Sequence, residues 1–190
     1  MKTTETTATA YPKVTGFPGV KDGETFQIAG MEFIKFPSVN GKTPVVMRNV
    51  AFRSRFGDNN DLRSSDALKK MQKDILPKII EAIGEENVLT FETDLTTLDG
   101  LKPYGVMESK ISLPTFDFYR ENVEIFDKYP VSERWWTATP ESAQPHDNPW
   151  WIVCVAPSGY IYYDGVYFHD VFAVRPFLIF NSSIFESFEE

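Results

Sequence analysis

Two segments of this chain carry a helical period, and that pair sets the class of fold open to it. In SSDALKKMQKDILPKIIEAIG, Leu68, Met71, Ile75, Ile79 and Ile83 recur at three and four residues and so share one helix face. Ser64 or Ser65 supplies the N-cap and Gly84 the stop. Pro77 lacks a backbone donor, which predicts a kink near Asp74 or a second helix starting there. PTFDFYRENVEIFDKYP repeats the signature, with Thr115 as cap, Phe116, Tyr119, Val123 and Phe126 on one face, and Pro130 beyond the end.

Around these helices the period is that of strands. ETFQIAGMEFIKFP places two strand-like runs about Ala29-Gly30, and PSVNGKTPVVM carries Asn40-Gly41, a strong hairpin signal. After Pro130 come short strands separated by PESAQPHDNP and APSG. In the run Trp151 to Ala156, Ile152, Cys154 and Ala156 fall on one face and Trp151, Val153 and Val155 on the other, so a central strand here has both faces covered. The expected fold is α+β: an antiparallel sheet with two flanking helices, the chain ends meeting as neighbouring strands, and a loop-rich half. At 190 residues the chain suits one domain burying roughly 70% of its unfolded surface. Its expected limits are residues 21–185, with an N-terminal arm at 1–20 and a tail at 186–190.

Charge and composition remove several function classes. A net charge of -8 and no Lys/Arg cluster argue against nucleic acid as partner. The start MKTTETTATAYPK lacks the apolar core of a signal peptide, and no run of about 18 apolar residues is present, so neither secretion nor membrane insertion is expected. The single cysteine, Cys154, excludes an internal disulfide and reads as a small buried hydrophobe between valines. His146 and His169 are the only histidines, without metal-ligand spacing, so no metal or other cofactor is expected. Ser158-Gly159 reads as a turn and not as a nucleophile elbow. Glu141, Asp147, Asp164 and Asp170 are read as a solvated face before a general acid/base pair.

What remains is the aromatic excess of 16 Phe, 8 Tyr and 4 Trp. Tyr160, Tyr162 and Asp164 share one strand parity, with Tyr167, His169 and Asp170 in the strand segment that follows. Tyr and Trp offer large contact area at small entropic cost, and Asp and His add hydrogen bonds, which is recognition chemistry. One Trp of each pair, 135/136 and 150/151, is expected to fill the core and the other to line a groove. The candidate ligand-binding residues are therefore Trp136, His146, Asp147, Trp150, Tyr160, Tyr162, Asp164, Tyr167, His169 and Asp170, with no catalytic or metal-binding residue among them.

The ordered segments FGDNNDLRSSDALKKM (56–71), LDGLKPYG (98–105), ISLPTFDFY (111–119), RWWTATPES (134–142) and AVRPFLIF (173–180) resemble a domain family of phages and gut bacteria with the C-type lectin fold. The family is similar to the variable proteins of diversity-generating retroelements. Its marks are Phe-Gly-x-Asn before a helix, Leu-Pro-Ser before a second, Trp-Trp-Leu-Arg-Ser-Pro, and a closing Gly-Val-Arg-Pro. The resemblance implies a variable binding window at 137–173. It also implies a virion protein made in the host cytoplasm, whose partners are a host-surface protein or glycan, other virion proteins, and further copies of itself. Its function would be ligand binding and display without catalysis, or alternatively structural, as a capsid decoration or baseplate part. Ala138 stands where the family has Arg, and Ala173 replaces the Gly before Val174-Arg175-Pro176. Gln144-Pro145-His146-Asp147 only partly matches the calcium motif of lectins with this fold, so calcium is not expected.

Overall fold

The structure, a computed structural model, describes residues 14–146, 149–166 and 172–186. It is an α+β fold dominated by two sheets. The first strands, β1 (Thr25–Ile28), β2 (Met31–Lys35) and β3 (Lys42–Met47), join the last, β11 (Phe177–Asn181), in the order β1-β2-β3-β11. The expected turns lie at Ala29-Gly30 and Asn40-Gly41, where all four residues take positive φ between 50° and 74°, as tight hairpin turns require. Pairing of β11 with β3, Phe177 opposite Val46, brings the late chain back onto its beginning.

The second sheet has the order β4-β10-β7-β8-β9, built from β4 (Phe52–Ser54), β7 (Trp135–Pro140), β8 (Trp151–Val155), β9 (Ile161–Gly165) and β10 (Phe172–Val174). The sheet is not wholly antiparallel as expected, because β10 runs parallel to β7 at Ala173 and Trp135. Ala173 has no positive φ, so no glycine is needed there. A third, two-stranded unit pairs β5 (Phe91–Asp94) with β6 (Val106–Ser109).

Both helical segments are split. α1 (Asp66–Asp74) starts on Ser65, whose hydroxyl accepts from the Leu68 N–H, and α2 (Leu76–Ile83) begins after Ile75 with Pro77 in its first turn, as the proline predicts. α3 (Phe116–Glu121) is capped by Thr115, but Asn122 leaves helical geometry before α4 (Val123–Phe126). That break rotates Val123 out to solvent, whereas Tyr119 and Phe126 remain buried. The expected four-residue apolar face therefore loses one member.

Central strands separate two cores. Phe33, Val45, Met71, Ile79, Trp136, Cys154 and Phe180 fill the larger one, while Ile34, Val46, Tyr119, Phe126, Trp135 and Val155 fill the smaller. Adjacent strand residues point to opposite faces, so Trp135 and Trp136 each enter a different core. At the start of the described chain, the Phe17 N–H donates to the Ile184 carbonyl at 2.6 Å and its ring packs 4.7 Å from that of Phe26. Val14, Phe17 and Val20 thus pack against the larger core; residues 1–13 and 187–190 lie outside the described residues. Among the described residues no helix is long and apolar enough to cross a membrane.

Candidate functional site

Strand β9 is the edge of the second sheet, and its hairpin with β8 positions the candidate surface. The connecting Ala156-Pro157-Ser158-Gly159 turn closes by the Gly159 N–H donating to the Ala156 carbonyl at 2.9 Å, with Gly159 at φ 78°. The Tyr119 hydroxyl reaches the Gly159 carbonyl at 3.3 Å, fastening the tip to α3. Register pairs Cys154 with Tyr162 and Ile152 with Asp164. Tyr160, Tyr162 and Asp164 therefore extend the face that carries Trp136 and Cys154 outward, past the last covered strand.

Both tyrosines are open there, Tyr160 at 64% and Tyr162 at 42% of full exposure. Their rings meet edge to face at 4.9 Å between centroids. Arg134, one residue before β7, lays its guanidinium 4.6 Å from the Tyr162 centroid and 5.8 Å from that of Phe172. Its Nη1 also lies 3.4 Å from an Asp164 carboxylate oxygen, and the other Asp164 oxygen accepts from the Gly165 N–H. Phe172 in turn packs 4.4 Å from Trp136. Arg134 and Phe172 did not stand out in the sequence, because each becomes part of the surface only through neighbours on other strands. On the opposite face of β9, Tyr163 is 56% exposed, with Trp151 at 6.0 Å edge to face.

The other candidates separate. Trp136 is fully buried and its indole N–H donates to the Ser54 carbonyl at 2.8 Å, so it supports the surface from beneath and cannot itself meet a ligand. In that pair it is Trp135, packed in the smaller core, that borders a cavity, on the opposite face of the sheet from Tyr160 and Tyr162, and not Trp136 as expected. In the second pair Trp150 is 38% exposed and Trp151 partly buried. Asp147, Tyr167, His169 and Asp170 lie outside the described residues.

His146 belongs to a different group. Its Nδ1 lies 3.0 Å from Asp99 Oδ2, the oxygen that accepts from the Ser142 hydroxyl at 2.7 Å, while Thr97 donates to Asp99 Oδ1 at 2.5 Å. Hydrogen bonds from Thr97 and Ser142, joined by His146, hold the Asp99 carboxyl well below the usual carboxylate range. Ser142 spends its proton on the carboxylate, and no hydrogen bond joins it to His146. The trio therefore lacks the serine-to-histidine proton relay of a nucleophilic site.

Polar residues of three sequence segments meet at the buried Asn60. Asn60 donates from Nδ2 to the Ser142 and Trp151 carbonyls, both at 2.9 Å, and accepts from the Tyr104 hydroxyl at 2.7 Å. One buried amide thus ties FGDNN, KPYG, TPES and the start of β8 together. Cys154 is buried, and desolvation, reinforced by Asp164, pushes its thiol up to about 12. No group of three or more His, Cys, Asp or Glu side chains arranged to hold a metal occurs among the described residues. Compared with family models, curated proteins and solved structures, the chain matches none.

Proposed function

We propose that this protein is a non-enzymatic ligand-binding and display module, with the outer part of the β8–β9 hairpin as its binding face. The observation that carries this reading is the exposed Tyr160–Tyr162 pair, held by Arg134 on an edge strand whose inner neighbours are fully packed. Rigid aromatics with a cation and a carboxylate beside them suit adaptable recognition of a polar surface. The C-type-lectin-like reading agrees with a sheet that unites the first strands with the last, and with motif residues 60, 104 and 142 meeting in one network. On that reading the chain is a virion surface or receptor-binding component whose target is a host-surface protein or glycan.

The test is retention of labelled protein on an array of bacterial surface polysaccharides and extracted surface proteins, beside a Tyr160→Ser/Tyr162→Ser variant. Selective retention that the variant loses supports the reading; no retention on any spot, or retention equal in both, contradicts it. The edge position of β9 favours one other reading, a structural virion part in which this face is an interface between protein copies. Under that reading the parent self-associates in sedimentation equilibrium and the double variant is monomeric.

A further inference from the structure

On the face of the β8–β9 hairpin away from Tyr160 and Tyr162 lies a cavity of about 250 Å³. Tyr119, Phe126, Tyr129 and Trp135 wall it, the exposed Asp127 stands at its mouth, and Arg175 lines its floor. Arg175 is 1% exposed. Its Nε donates to the Met47 carbonyl at 3.1 Å, and its guanidinium carbon lies 5.3 Å from the Trp135 centroid and 5.4 Å from that of Phe126. Nη2 is buried with no hydrogen-bond partner, and no described carboxylate forms an ion pair with the group.

A buried cation without a counter-anion is costly, and carbonyl and ring contacts compensate it only in part. Burial lowers the guanidinium to about 10, which still leaves it charged at neutral pH. A planar carboxylate matches the guanidinium fork, as a phosphate also does. Asp127 at the mouth opposes di- and trianions such as phosphate more strongly than a single negative charge. The aromatic walls favour an apolar body on the ligand.

We propose that this cavity binds a small monocarboxylate with an apolar body, anchored on Arg175. The site is separate from the aromatic face and does not rest on the display reading.

Sodium benzoate is the probe, with benzamide as its neutral isostere and sodium chloride as the ionic-strength control; the readout is the thermal unfolding midpoint. Benzoate at ten times its dissociation constant is expected to raise the midpoint by about 3 °C, and neither control to move it. Asp127→Asn, on the surface, is expected to tighten benzoate about twofold or more. Val131 also lines the cavity, and Val131→Phe, which narrows it, and Arg175→Ala are each expected to abolish the shift. If Arg175→Ala does not fold, the Asp127 and Val131 variants decide. Equal effects of benzoate and benzamide, no benzoate shift up to 50 mM (about 50 times a millimolar dissociation constant), or unchanged benzoate binding in both of those variants overturns the proposal.

Discussion

The guanidinium of Arg134 stacks over Tyr162 at 4.6 Å while reaching Asp164 at 3.4 Å, so one exposed side chain fixes the ring and the carboxylate of the neighbouring hairpin. The partners come from β9 and from the residue preceding β7, with β8 lying between the two strands. A surface held in this way loses little freedom when it binds.

Because this contact is solvent-exposed, Arg134→Ala should cost less than about 1 kcal/mol of stability. Urea denaturation measures it. A loss beyond about 2 kcal/mol would mean that Arg134 supports the interior.

Asn60 has the opposite character. Replacing it by alanine strands the Tyr104 hydroxyl and the Ser142 carbonyl, while the Trp151 carbonyl keeps the Glu141 N–H, so Asn60→Ala should cost about 2 kcal/mol or more. A change under about 0.5 kcal/mol would contradict its role as the tie between these segments.

The Asp99 cluster predicts an acid dependence. Its folded pKa is depressed below the unfolded value of about 3.9, so its contribution is present above that pH and is lost as pH falls through the folded value. Parent protein should exceed Asp99→Asn in denaturation midpoint at pH 7, and the margin should shrink at pH 2. An equal margin at both pH values would rule out this linkage.

The Cys154 thiol should resist alkylation in the folded protein. At pH 8 iodoacetamide should label it only as fast as the protein opens, with labelling accelerating in urea. Stoichiometric labelling within minutes of native protein would show a reactive thiol instead.

Local rules made much of the scaffold legible. Ser65, Pro77, Thr115 and the Ala29-Gly30 and Asn40-Gly41 turns each act through neighbours a few residues away, and each lies where its chemistry requires. The misses depend on long-range pairing. Nothing local to Trp135-Trp136 reveals which of the two borders a cavity, and the parallel contact of β10 with β7 joins residues far apart in sequence. Phe17 falls within the segment read as an N-terminal arm because its partners, Phe26 and Phe185, come from later in the chain. For the candidate surface, strand parity was enough to place Tyr160, Tyr162 and Asp164 on one face, but not to add Arg134 or Phe172.

The most direct measurement of the binding-face assignment compares Tyr160→Ser/Tyr162→Ser with Ile152→Ala in urea, alongside array retention of the double variant. Ile152 is fully buried in the same hairpin, so its truncation should cost about 2 to 4 kcal/mol. A display face predicts that the double tyrosine variant keeps a midpoint within about 0.5 kcal/mol of the parent yet loses retention. A double variant that unfolds like Ile152→Ala, or one that stays folded and binds as the parent does, would contradict it.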